Sequence, residues 1–188
     1  MKTLIVDNTS KLINELFNLA PMPVEIVEWN NLKNIDLNNV NLIILSGASN
    51  LFAIVEHEEN LDNEIDLIIN SNKPIIGICY GCELVARAFG AKLEKMDTEK
   101  RGSVQIKALK KDNLFGDLES FTAYEAHHWV IKNIPEDLEV LGTSDHGVEI
   151  FKHRTRPIYG LQFHPEKTES GSGKIIFENI LKEIKKRP

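Results

Sequence analysis

The sequence predicts an α/β protein of three layers, a mostly parallel central sheet with helices on both faces. Two observations carry this. In the first half, short apolar runs alternate with amphipathic segments in the order β-α-β-β-α-β-α, the pattern of strands joined by crossover helices. Runs such as "TLIVD" and "PIIGI" are continuously apolar, as strands buried on both faces are.

The elements follow in order. "TLIVD" (3–7) reads as a buried strand. In "SKLINELFNLA", Leu12, Ile13, Leu16, Phe17 and Ala20 fall at helical spacing, with Ser10 as the expected N-cap. "VEIVE" (24–28) and "VNLIILS" (40–46) are the next strands. "ENLDNEIDLIINS" (59–71) is an amphipathic helix with Leu61, Ile65, Ile68 and Ile69 on one side. "PIIGI" (74–78) is a strand, and "CELVARAFG" (82–90) a helix closed by Gly90. The second half is richer in strands: "SVQIKAL", "LEVLGTS", "GVEIFKH" and "PIYGLQF". A last amphipathic helix, "GKIIFENILKEIKK", follows. No repeat or long linker divides the chain, so residues 1–188 are expected to form one domain.

Composition removes several function classes. With 22 basic against 28 acidic residues the net charge is −6, which argues against nucleic acid as a partner. "MKTLIVDN" is too short an apolar stretch for a signal peptide, and no run approaches the roughly 18 residues of a membrane span. Two cysteines without an export signal fit a reducing, cytoplasmic setting. No phosphate-cradling G-x-x-x-x-G-K-[ST] or G-x-G-x-x-G occurs, so no nucleotide cofactor is expected.

Doubly wound sheets bind ligands beyond the carboxyl ends of their strands. Three stretches lie there: "SGASN" (46–50), "CYG" (79–81) and "FHPE" (163–166). Cys79 sits in Gly77-x-Cys79-x-Gly81 between a strand and a helix. That is the form of a nucleophile elbow, with cysteine in place of serine. The turn puts the sulfur at a helix N-terminus, where unpaired N–H groups favour thiolate. Cys79 and Cys82 also form a C-x-x-C, so on this stretch a redox pair, half a zinc site and two buried hydrophobes stay open. Zinc would need two further ligands, which only the fold could recruit, for instance from His127-His128.

A second stretch decides between them. A cysteine nucleophile needs a base, and the base an orienting partner. "YGLQFHPEK" offers His164 and Glu166 at a strand end, a pairing not evident for His57, His127, His128, His146 or His153.

"GICYGCE" together with "FHPE" resembles the class I (triad) glutamine amidotransferases, whose nucleophile motif reads G-[IV]-C-x-G-x-[QE] and whose base motif reads [QF]-H-P-E. "NLIILSGAS" stands where that family has its "ILSGGP" loop, and "RPIYGLQFHPE" is close to its usual wording. The resemblance covers nearly the whole chain. Length and segment order look most like the separate glutaminase subunits of archaeal-type GMP synthases. It implies a flavodoxin-like fold and hydrolysis of glutamine to glutamate and ammonia by Cys79, His164 and Glu166. The backbone amides of Ala48 and Tyr80 would form the oxyanion hole, and Gly47, Glu83 and His127 would line the substrate. It implies no metal, and it implies that the ammonia is accepted by a separate ATP-dependent synthetase subunit.

Four positions depart from the family pattern. Ala48 stands for glycine, with strain expected if the position needs φ > 0. Cys82 replaces His or Met and is expected to be buried and apolar. Glu83 replaces Gln. Trp129, in "AHHWV" (126–130), replaces an acidic residue associated with coupling to the synthetase. Trp129 and Phe52 are candidate partner contacts. The alternatives are the glutaminase of another amidotransferase, a free-standing γ-glutamyl hydrolase, and a non-catalytic regulatory protein on the same fold.

Overall fold

The computed structural model describes residues 2–33, 35–49, 58–168 and 171–186; Phe52, His57 and the side chain of Leu61 lie outside what it describes. The chain runs β1 (Thr3–Asn8), α1 (Ile13–Leu19), β2 (Val24–Glu28), a 3-10 turn (Trp29–Asn31), β3 (Leu42–Ala48) and α2 (Glu58–Asn70). It continues with β4 (Ile75–Ile78), α3 (Tyr80–Ala88), β5 (Lys92–Ala108), β6 (Ser120–Lys132), β7 (Leu138–Ser144), β8 (Gly147–His153), β9 (Ile158–Leu161) and α4 (Gly173–Lys186). These strands form one sheet in the order β2-β1-β3-β4-β9-β8-β7-β5-β6.

The predicted α/β class holds, and the sheet is mixed. β2, β1, β3, β4 and β9 pair in parallel, while β9 meets β8 antiparallel and the antiparallel pairing continues to β6. In the parallel half the side chains alternate between two cores. Ile5, Ile44 and Ile76 face α1 and α4 through Leu16, Ile176 and Phe177. Leu4, Val6, Ile43 and Leu45 face α2 and α3 through Ile68, Leu84 and Val85. Because both faces are covered, successive residues are all apolar, which is why these runs read without alternation. Parallel pairing also brings the carboxyl ends of β1, β3, β4 and β9 to one edge, where the three singled-out stretches meet.

Three local expectations need correction. Ser10 does not cap α1; Leu12 is the cap residue, and the Ser10 hydroxyl instead accepts the Leu12 N–H at 3.1 Å. The "SVQIKAL" strand is the end of a 17-residue strand, and its partner β6 is a strand that hydropathy does not reveal. On α2 the buried side carries Glu64, Leu67 and Ile68, while Ile69 is exposed. Gly90 does close α3: it has φ +95, and the Gly90 and Ala91 amides donate to Arg87 and Ala86 carbonyls.

Glu64 is fully buried, and burial pushes its carboxyl from 4.5 up to about 8, the nearby Asn8 side chain pulling the other way. A carboxyl raised in the folded state binds its proton more tightly there. Its contribution to stability is therefore whole below about pH 4.5 and is lost as pH rises through 8. Each tenfold difference in proton affinity is worth about 1.4 kcal/mol, so the folded chain should lose a few kcal/mol from this group between pH 5 and 9. The expected result is a melting temperature that falls by several degrees over that range and falls clearly less in Glu64→Gln. Equal slopes in thermal melts of the two proteins would show Glu64 to be ionised and accommodated.

Candidate active site

The position of Cys79 is set by backbone crowding. Cys79, between β4 and α3, adopts φ 50 and ψ −105, a conformation rare for a side-chain-bearing residue. Its amide donates to the Leu161 carbonyl at 2.7 Å, and its carbonyl accepts the Glu83 amide at 3.0 Å. The turn is so tight that a Cβ on Gly77 would lie 2.4 Å from the Gly81 carbonyl oxygen. One on Gly81 would lie 2.3 Å from that of Leu45. Glycine is required at both positions. Tyr80 opens α3, so its amide belongs to the first turn, which has no intrahelical acceptors.

His164 follows β9. Pro165 disfavours helical geometry at the residue before it, and the turn it makes lets two side chains meet. His164 Nδ1 lies 2.9 Å from Glu166 Oε1, both residues being buried. The His164 amide donates to the Tyr124 carbonyl at 2.7 Å, tying this loop to β6. The imidazole and the Cys79 side chain flank Gly47 together, and each acts on the other's charge. The structure thus gathers Cys79, His164 and Glu166 at one place, with the His164–Glu166 pair facing the cysteine.

Electrostatics couple the pair. Burial pushes the Cys79 thiol up; the facing His164 charge and hydrogen bond pull it down, and Glu83 and Glu166 push it up. Burial disfavours a charged His164, but the charges and hydrogen bonds of Cys79 and Glu166 outweigh this and raise it well above the usual histidine range. Thiolate is therefore favourable only beside imidazolium. The Cys79 thiol also points to the Ala126 carbonyl on β6, 3.7 Å away. Cys82, by contrast, is fully buried and packs against Gly160, where an added Cβ would come within 2.9 Å of its sulfur. Burial beside Glu83 raises the Cys82 thiol well above its usual range. A buried, apolar role suits it.

The loop at the end of β3 stands over the cysteine. A Cβ on Gly47 would sit 3.1 Å from His164 Cε1 and 3.6 Å from Cys79 Cβ, so glycine keeps that space clear. Ala48 pairs in register with Asn8. The expected strain at Ala48 is not found, since the described non-glycine residues with positive φ are Thr9, Cys79 and Asn133. Ser46 braces the loop: its hydroxyl accepts the Asn8 amide at 2.9 Å and donates to the Gly47 carbonyl at 2.9 Å.

Cys79, Tyr80, Gly47, Ala48, Glu83, His127, Trp129 and His164 line a cavity of about 450 Å³, within the range for small-molecule sites. Arg101 and Lys167 bring cationic groups to its wall, and Glu99 an anionic one. Glu83 is turned inward, accepting a hydrogen bond from Gln162 at 3.1 Å, and burial pushes its carboxyl up to about 7. His127 is buried with both ring nitrogens engaged, Nδ1 by the Trp129 carbonyl at 2.7 Å and Nε2 by Glu125 at 3.1 Å. Burial opposes charge on that ring, but these two bonds together hold it above the ordinary histidine range. Both residues are walls of the cavity whose polar ends face the protein.

Sequence patterning does not single out Glu125, His146 and Glu149, which gather around His127 in the fold. A signal exists. Along β6 the inward residues Phe121, Ala123, Glu125 and His127 keep period two, but the last two are ionisable and break the apolar pattern.

A model of the class-I glutamine amidotransferases matches residues 4–184. The glutamine-hydrolysing GMP synthase subunit of Methanobrevibacter smithii is 32% identical over 193 aligned positions, covering 100% of this chain and 98% of that protein. Its counterpart from Methanococcus vannielii is 35% identical over 165, covering 86% and 84%. Among solved structures, a Thermoplasma acidophilum protein provisionally described as the same GMP synthase subunit superposes with a TM-score of 0.88 at 29% identity, covering 99% and 94%. No helix among the described residues is long and apolar enough to cross a membrane. Matched along nearly its full length, the chain belongs to the class-I glutamine amidotransferase family.

Proposed function

We propose that the chain hydrolyses the side-chain amide of glutamine through Cys79, His164 and Glu166 and passes the ammonia to a separate ATP-dependent synthetase subunit that converts XMP to GMP. The observation that carries the chemistry is Cys79 at the strained elbow and the His164–Glu166 pair opening together on one cavity. Cys79 gives its proton to His164, and the thiolate attacks the amide carbon. The tetrahedral oxyanion is received by the Ala48 and Tyr80 amides. Collapse breaks the C–N bond, and His164 returns the proton to the leaving nitrogen, releasing ammonia and a glutamyl thioester. His164 then takes a proton from water, hydroxide attacks the thioester, and glutamate leaves as the Cys79 thiol is reprotonated. Glu166 holds the Nδ1 proton and stabilises the imidazolium. In this reading Gly47 leaves room for the substrate's amide, Arg101 and Lys167 suit its α-carboxylate, and Glu83 and His127 shape the wall.

The synthetase assignment is supported by the relatives bearing the GMP synthase name. The resting Cys79 thiol, buried and directed at a carbonyl, fits a glutaminase slow on its own. A partner that binds an activated arrangement better would shift the population toward it. The test is glutamate release with and without the GMP-forming subunit, ATP and XMP, with at least tenfold stimulation expected. Stimulation by a different synthetase alone would remove GMP synthesis and keep the hydrolysis. Full activity without a partner, with γ-glutamyl compounds preferred, would replace the reading with that of a free-standing hydrolase.

A further inference from the structure

Reaching inward from His127 in the cavity wall lies a cluster of ionisable groups to which the glutaminase reading gives no chemical step. Glu125 and His127 occupy alternate inward positions of β6, and Glu149 lies on β8. All three are almost fully buried, at 2%, 4% and 1% exposure. One ligand atom from each falls within 4.8 Å of the others. Glu149 Oε1 accepts the Ser144 hydroxyl at 2.7 Å, while its other oxygen, equally buried, has no hydrogen-bond partner. His146 Nδ1 sits against the far oxygen of Glu125.

We infer that Glu125, His127 and Glu149 form a binding site for a divalent cation of the zinc class. Two carboxylates buried side by side are unfavourable unless a cation or a proton lies between them. The partnerless Glu149 oxygen is a donor atom without a present use. The surroundings match what ligands require. The Trp129 carbonyl holds His127 Nδ1 in its protonated form, which directs Nε2 at the cluster, as backbone carbonyls do behind metal-bound histidines. Ser144 and His146 orient the two carboxylates from outside. A tetrahedral ion with bonds of roughly 2.0–2.1 Å spaces its ligand atoms about 3.3 Å apart. His127 Nε2 and Glu125 Oε2 already lie 3.1 Å apart. An imidazole in the set selects zinc-like ions over magnesium or calcium. A bound ion would replace the proton on His127 Nε2 and join β6 to β8 beside Ala126, whose carbonyl faces the Cys79 thiol.

The inference stands apart from the glutaminase reading, and its test keeps them separate. Cys79 with His164 would itself attract zinc, so the full-length Cys79→Ser chain is used. Titrated metal-free with Zn²⁺, it should bind one equivalent at sub-micromolar Kd. Co²⁺ in its place should give visible ligand-field bands without a sulfur charge-transfer band. Adding Glu149→Gln or Glu125→Gln should weaken binding by about 100-fold or more, and the milder Ser144→Ala by about tenfold. His128→Ala should leave it unchanged. No stoichiometric binding by the Cys79→Ser chain would overturn the site. So would an affinity untouched by Glu149→Gln and Ser144→Ala in chains whose circular dichroism shows them folded.

Discussion

Cys79→Ala is expected to abolish glutamine hydrolysis, by at least about 10⁴-fold, whereas Cys82→Ala keeps most of it. Loss of a covalent nucleophile removes the route itself, and losses of this size follow such deletions in other enzymes. Only Cys79 occupies the strained turn and lines the cavity together with His164. Cys82 lies three residues on, one turn into α3, and faces Gly160 and the core. Truncating it should lower stability by about 1 kcal/mol through a small cavity and change turnover by no more than a few-fold. Glutamate release measures the first effect. Labelling with diazo-oxo-norleucine, followed by mass spectrometry, should find Cys79 modified and glutamine protecting it. Comparable losses from both substitutions, or label on Cys82, would restore the dithiol reading.

The second large effect is expected at Ala48. Ala48→Pro removes the backbone N–H assigned to the oxyanion and should reduce kcat by about 10²–10³-fold, the loss seen when one such donor is deleted. Ala48→Gly should change kcat little. The residue does not have positive φ, so glycine relieves no strain there. The proline could also disturb the end of β3, where Ala48 pairs with Asn8. Iodoacetamide reactivity of Cys79 separates the two effects: an intact elbow with an empty donor position keeps the thiol reactive while turnover is lost. Normal turnover in the proline variant would move the oxyanion donor elsewhere.

The proposed catalytic residues are legible because each is written into a short local motif. A G-x-C-x-G after an apolar run specifies a turn with no room for side chains, and His-Pro-Glu sets two side chains across one proline. Neither needs distant information. The continuous runs of β1, β3 and β4 are equally plain, since burial on both faces leaves only apolar residues to choose from. Glu64 shows the limit. A carboxylate on the buried side of α2 contradicts the pattern that locates the helix, and hydropathy puts Ile69 on the inner face instead.

β6 escapes detection for a related reason. Its inward positions carry Glu125 and His127, so the alternation is present while the hydropathy is not. Polar residues become tolerable inside only when partners meet them: Glu149 from β8, His146 from the turn before it, and the Trp129 carbonyl from β6 itself. Glu83 reads from its position as lining the substrate, but in the fold Gln162 donates to it. The sequence by itself determined the α/β class, the elbow at Cys79 and the His164–Glu166 pair, because these depend on neighbours along the chain. The tertiary structure alone decided which polar side chains are already engaged and which oxygen is left over. Those outcomes depend on segments separated by as many as 79 residues meeting at hydrogen-bond distance, and burial then makes each unmatched charge strongly unfavourable.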